Sequence, residues 1–244
     1  GDNYALGATK NKEVIFWQID TKGKVRTGKI MQYNPETGRR IKHESGAIDW
    51  VHNKLKKSGT LPEDFNLQQC FFGEHLLKIY PDATVSIVES EKSALISAAV
   101  LTDCIWLATG GLNNLTVDKC EILRGRTVIL YPDLNAYDKW SAKAEYLNSL
   151  SPSPNGEGFR VRCSTMLEDI ATPEAKAQGL DLADFLINQL KNSNLNDTSE
   201  TPEPDPEPAI PPPAPTRFSP QLEAMIEANP AVLTLIDKLD LIEY

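Results

Sequence analysis

Metal-binding and membrane signatures are scarce in this sequence. Its 244 residues include only four cysteines and three histidines. Cys70, Cys104, Cys120 and Cys163 are widely spaced without a CxxC pair, and His43, His52 and His75 form no HxxxH-like cluster. A zinc ribbon is therefore not expected, and the cysteines read as reduced and structural. Apolar runs are short: none approaches the roughly 18 residues that a membrane-spanning helix requires. No charged-then-apolar leader opens the chain, so a cytoplasmic protein with no membrane partner is expected. The GxxxxGKS/T string of P-loop motors is missing, which argues against a helicase motor, and no internal repeat is present.

What the sequence does contain is an uneven distribution of charge. The net charge of −9 hides a local basic surface. Between residues 22 and 57, ten basic side chains face three acidic ones, Glu36, Glu44 and Asp49. Segment 84–190 carries a net −5 and segment 191–244 a net −7. A basic module beside an acidic domain is compatible with a nucleic-acid partner despite the whole-chain balance.

The pattern of apolar residues divides the chain. VIFWQI is β-branched and aromatic, DTKG is a turn, and KVRTGKIMQY resumes strand-like alternation, so residues 13–34 predict a β-hairpin. The NPETG stretch (34–38) is a second turn, and Ile48, Val51 and Leu55 recur at helical spacing over 48–57. These elements make a small basic α+β module over 1–82. From residue 83 to 192 the runs TVSIV, CIWLAT, RTVILY and FRVRCST alternate with helical stretches. Strands without polar alternation, each followed by a helix, predict an α/β fold with a parallel sheet flanked by helices. Residues 193–219 are proline-rich and acidic, as in a disordered linker, and 220–244 read as a short amphipathic helical tail suited to docking on a partner such as a replication protein or back on the domain. Trp17, Trp50 and Phe71 are expected in the core.

Three acidic elements fall where chemistry is expected. Glu89 directly follows TVSIV, the string YPDLNAYD (131–138) follows RTVIL, and GLDLADFL (179–186) opens the last helix. Parallel strands bring such side chains to one edge, and clustered carboxylate oxygens are what Mg²⁺ requires. Each has a plainer reading as well: a charge at a helix N-terminus for Glu89, a turn former for Asp133, a helix cap for Asp181. Gly110 and Gly111 in ATGGLNNL are expected to serve a tight strand-to-helix turn rather than a phosphate. In the basic module, Lys29, Tyr33, Arg39, Arg40, Lys42 and His43 combine phosphate-pairing cations with an aromatic ring, as a single-strand or template groove would.

The order strand–Glu–helix, Gly-rich turn, strand–Asp and D-x-x-D resembles the Toprim domain shared by bacterial-type primases, primase-helicases, topoisomerases and some nucleases. The strings GKIMQYNPETGRR, FFGEHLL, VESEKSA, IWLATGG and YPDLNAYDKW are similar to those of Toprim-containing, primase-like proteins of bacterial mobile elements, over about residues 12–190. The resemblance implies Glu89 as general acid or base, with Lys92 contacting phosphate. It implies Asp133 as the first metal-binding Asp of a D-x-D motif whose second position is Asn135 here, with Asp138 as a partial substitute. Asp181 and Asp184 resemble a later K-D-x-x-D pair in which Leu180 replaces the lysine. The implied cofactor is Mg²⁺ or Mn²⁺, and the implied partners are nucleotides and a DNA or RNA–DNA template. Primase-like nucleotidyl transfer is the preferred expectation. A Toprim-type nuclease and a non-catalytic DNA-binding module for replication or mobilisation are the alternatives, the latter favoured by Asn135. A topoisomerase-type reaction needs a nucleophilic tyrosine, and no Tyr here has a context for one.

Overall fold

The computed structural model of the chain describes residues 4–41 and 48–196, the last five of them by backbone only. They fall within one compact unit, residues 1–198. The linker beyond residue 196, the tail, Lys42 and His43 lie outside the described residues.

The predicted hairpin is present and is part of a four-stranded antiparallel sheet in the order β1-β2-β3-β4. Its strands are β1 (Leu6–Ala8), β2 (Val14–Ile19), β3 (Val25–Met31) and the two-residue β4 (Asp49–Trp50), which leads directly into helix α1 (Val51–Lys57). Alternation along β2 turns Phe16 into the core at 2% exposure, leaving Trp17 half-buried. Trp50 is also only half-buried, whereas Phe71 is a core residue as expected. Trp17 lies opposite Gly28. A Cβ on Gly28 would come within 2.6 Å of Ile15 Cγ2 and 2.9 Å of Trp17 Cε3, so the missing side chain is what lets the Trp17 ring cross β3.

The one-turn helix α2 (Leu76–Ile79) leads to the second sheet. Its strands are β5 (Val85–Val88), β6 (Ile105–Ala108), β7 (Thr127–Leu130) and β8 (Arg160–Cys163), all parallel, in the order β6-β5-β7-β8. Between them run α3 (Glu91–Val100), the short α4 (Val117–Cys120) and α5 (Tyr137–Ser149), and after β8 come α6 (Met166–Ile170), α7 (Pro173–Gln178) and α8 (Leu182–Asn196). The helical stretch expected over LNNLTVDKCEIL is broken, with single 3-10 turns at Leu112–Asn114 and Glu121–Leu123 on either side of α4.

The continuous apolar runs follow from burial on both sheet faces. Val85, Ile87, Ile105 and Leu107 pack with Trp140, Ala144 and Leu147 of α5. Val88, Trp106 and Ala108 pack on the other side with Ala94 of α3 and Leu182 and Leu186 of α8. Phe16 and Met31 of the antiparallel sheet join that second cluster, so the two sheets share core. The outer edge of β6 is covered: Phe72 and Ala108 exchange backbone hydrogen bonds of 3.1 Å each, and the Tyr4 hydroxyl donates to Trp106 O at 2.6 Å. The other edge, β8, faces water with exposed Arg160 and Arg162, charges that discourage further strand pairing. Among the described residues, no helix is long and apolar enough to cross a membrane.

Candidate functional site

The strand order decides where a site can form. The chain passes from β5 to β6 on one side and returns to β7 on the other, so the crevice at the carboxyl ends of β5 and β7 is the topological switch point of the sheet. Glu89 is the first residue beyond β5, and Asp133 lies three residues beyond β7. Two hydrogen bonds bring the third acidic element to the same place. Leu134 N donates to Leu180 O at 3.1 Å, tying the β7 turn to the residue before Asp181. The Ser93 hydroxyl of α3 donates to Asp181 Oδ2 at 2.6 Å.

Each carboxylate is held by local chemistry. Ser90 caps α3 by accepting from Ser93 N at 3.0 Å, which fixes the turn that carries Glu89. Asp181 Oδ1 accepts from Asp184 N at 3.0 Å and Asp184 Oδ2 accepts from Asp181 N at 3.2 Å, a reciprocal cap on α8. The capping role expected for Asp181 is therefore present, and it also positions Asp181 beside Asp133. The Asp133 carboxyl is pushed up to about 7, first by burial and then by the like charges of Asp181, Glu89 and Asp184, with Lys92 offsetting part of the effect. Among the described residues, no three His, Cys, Asp or Glu side chains are gathered closely enough to enclose an ion by themselves.

The remaining predicted residues are placed differently. Asn135 has a left-handed backbone (φ 69°), a conformation Asn tolerates better than most side chains. Its Nδ2 donates to Lys176 O at 2.6 Å, and its backbone N–H donates to Glu168 Oε1 at 3.1 Å. Asn135 and Asp138 line a neighbouring crevice of about 420 Å³ with Tyr137, Glu168 and Lys176, and Asp138 is not among the charges acting on Asp133. Arg39 and Arg40 are exposed just after the second turn, 34–38, which is closed by Asn34 N donating to Arg39 O at 2.9 Å. Tyr33 is half-buried edge-on to Phe16, and its hydroxyl is pushed up to about 12, by burial first and then by Glu91, with Arg40 opposing and Asp181 adding to the rise.

Lys29 does not belong to the exposed basic surface. It is 5% exposed, and its Nζ donates to Glu91 Oε2 at 2.8 Å, joining β3 to the first turn of α3. On the same face of β3, Met31 packs into the core shared by the two sheets, and Lys29 meets its partner charge on α3. Sequence reasoning passed over Glu91, whose position in SEKS reads as an ordinary acidic residue in a first helical turn. Only the pairing across 62 positions marks it out.

A family model described as a domain of unknown function, DUF6371, matches residues 1–134, more than half of the chain. The chain belongs to the DUF6371 family. The matched segment includes Lys29, Glu89, Glu91, Gly110 and Asp133, while Asp181 and Asp184 lie beyond it. No curated protein matches the sequence. Among solved structures, the chain is similar to the primase fragment of the bacteriophage T7 primase-helicase protein, with 12% identity and a TM-score of 0.46. That match covers 79% of this chain and 66% of the T7 fragment, so this chain spans just under two thirds of the fragment's length. A bacteriophage T7 lagging-strand DNA polymerase structure with primase domains bound to an RNA/DNA hybrid and dTTP gives 13% identity and a TM-score of 0.45, covering 81% and 82% of the two chains. The RNA polymerase domain of Mycobacterium tuberculosis primase DnaG gives 12% and 0.38, covering 80% and 68%.

Proposed function

We propose that this DUF6371 protein processes nucleic acid at a Mg²⁺-dependent acidic site of the Toprim type, and that its reaction is primase-like nucleotidyl transfer in the replication of a mobile element. The observation that supports the proposal is that Glu89 and Asp133 follow the adjacent strands β5 and β7 at the switch point, with Asp181 tied to the same place through Ser93 and through the Leu134–Leu180 hydrogen bond. Crowded carboxylates with one nearby lysine form a donor set that favours a hard cation, and such a cation would relieve their mutual repulsion. Mg²⁺ usually keeps several waters and binds through one or two carboxylates, which suits a cluster too open to enclose an ion by itself. Asp133 would hold Mg²⁺ or Mn²⁺ largely through waters, with the charges of Asp181 and Asp184 behind it. A bound ion supplies neutralising charge for a transferred phosphoryl group.

The side chains divide the remaining work. The Glu89 carboxylate, half-buried at the crevice, takes the proton of an attacking hydroxyl. Lys92, on the first turn of α3, meets phosphate charge, and the exposed Arg39 and Arg40 pair with backbone phosphates of a template. Primer synthesis on single-stranded DNA with ribonucleotides and Mg²⁺ or Mn²⁺ tests this reading. Glu89→Gln abolishes synthesis while leaving template binding intact, and an active Glu89→Gln protein shows the assignment to be wrong.

One observation favours a second reading, a non-catalytic DNA-binding module. The Asn135 carboxamide, at the position where the resemblance implies a metal ligand, is turned to Lys176 O. In that case single-stranded DNA binds, but neither Mg²⁺ nor Mn²⁺ changes the thermal stability of the protein.

A further inference from the structure

A crevice of about 590 Å³ shares no lining residue with the acidic cluster. It opens between the β2–β3 turn, the segment leading to Phe72, and α4. Its wall contains two buried carboxylates that are already held in place. Asp20, 6% exposed, accepts from Lys22 N and Lys24 N at 2.9 Å each and pairs with Arg26 at 2.6 Å. Glu74, 7% exposed, accepts from Phe71 N at 3.1 Å and from the Thr21 backbone. Arg26 also donates to Gln68 Oε1 at 3.1 Å. Together these bonds fix the β2–β3 turn against segment 67–74.

The groups left over in the crevice are mostly donors. Lys119 of α4 is half-buried, and burial holds its ammonium below the ordinary value, with Cys70, Glu74 and Cys120 opposing the fall. Neither Lys119 nor Lys22 has an ion-pair partner among the described residues. Gln69 and Thr116 add a carboxamide and a hydroxyl to the lining. The third lining carboxylate, Asp118, is exposed to water. A half-buried ammonium with no counter-charge in contact is unfavourable, and an anion in the crevice would relieve it, whereas a cation would worsen it. Leu67 and Ile122, the latter 40% exposed, give the same crevice an apolar side. A ligand with an anionic end and an apolar, ring-like end matches both features. Small-molecule sites usually measure about 300–1,000 Å³, a range that includes this one.

We propose that this crevice is a nucleotide-binding site in which Lys119 and Lys22 pair with phosphate oxygens while Leu67 and Ile122 meet the base. Lys119 is the anchor, because it is the half-buried cation of the two. The site goes beyond the reading of the acidic cluster and does not depend on it. Ammonium groups meet the phosphate charge here, so binding needs no divalent cation. The site holds its nucleotide without making or breaking a bond.

The test is titration calorimetry of the full chain with ATP in EDTA, so that no metal bridges phosphate to the acidic cluster. Wild type is expected to bind ATP, and to bind adenosine and inorganic phosphate each more weakly. Lys119→Met, which keeps the apolar stem, is expected to bind ATP at least about tenfold more weakly, as loss of a hydrogen bond between charged partners implies. Lys22→Ala, at an exposed position, is expected to weaken binding as well and keeps the test valid should the Lys119 variant not fold. No ATP binding in EDTA overturns the proposal. So does an affinity that Lys119→Met leaves unchanged, or that Lys22→Ala leaves unchanged if only that variant folds. Oligothymidylate held through Lys119 where ATP is not held shows a site for a strand, and overturns the nucleotide assignment. All of these outcomes leave the acidic-cluster reading standing, since that reading is tested separately by primer synthesis with Mg²⁺ or Mn²⁺.

Discussion

Removing one member of the Lys29–Glu91 pair should damage this protein more than removing both. The two side chains are 7% and 2% exposed, and their charged atoms are 2.8 Å apart. In Lys29→Met the Glu91 carboxylate stays buried after losing its cation, while its Oε1 has no hydrogen-bond partner among the described residues. Breaking a buried pair in this way costs about 3–5 kcal/mol, whereas replacing both charges with apolar side chains of similar volume is often close to neutral. The single variants Lys29→Met and Glu91→Leu should each lose about 3 kcal/mol or more, and the double variant less than either. The pair spans β3 and α3, so each single loss also loosens the contact between the two sheets. Urea unfolding of all four proteins, with a shared slope, closes the double-mutant cycle. If the two single losses add up in the double variant, the pair is not coupled and the buried geometry described for it is wrong.

Asp133 gives a pH prediction of definite sign. Its carboxyl sits above its ordinary value of 3.8, at about 7, so the folded state holds that proton more tightly than the unfolded chain does. The stability tied to it is present below about pH 4 and is lost as pH rises towards 7, by up to about 4 kcal/mol shared across the coupled cluster. Asp133→Asn should flatten that fall and be the more stable protein at pH 8 in the presence of a chelator; urea midpoints at pH 5 and pH 8 check this, and an unchanged fall in the variant refutes it. Gly28→Ala should lower stability by about 1–3 kcal/mol, because its Cβ meets Ile15 and Trp17 inside van der Waals contact, and a thermal melt detects the loss. Arg39→Ala with Arg40→Ala should weaken single-stranded DNA binding regardless of sequence and reduce the salt slope by about 1.4, measured by fluorescence anisotropy across salt concentrations. Unchanged salt dependence would remove Arg39 and Arg40 from the interface.

Much of the architecture was legible from local pattern. Runs such as TVSIV and RTVIL have no polar alternation because both faces of their sheet are covered, and that physical requirement acts at every position of the run. The strand ends were therefore legible too, and with them the placement of Glu89 and Asp133. Short elements were less so. LNNLTVDKCEIL has helical spacing but breaks into single turns, with Thr116 capping α4 in its middle and drawing the backbone out of one continuous helix. Trp17 reads as core by size, yet the two-residue period of β2 leaves only one of the neighbouring Phe16 and Trp17 on the inner face.

By itself, the sequence determined the succession of strands and helices, the basic and acidic halves, and the positions of carboxylates at strand ends, because propensity, period and charge act between near neighbours. Tertiary structure decided what those groups meet. It placed Lys29 in the core against Glu91 instead of on a basic surface, turned Asn135 towards Lys176, and set Asp181 against Ser93, 88 positions away. Burial and partnership depend on which distant segments share a volume.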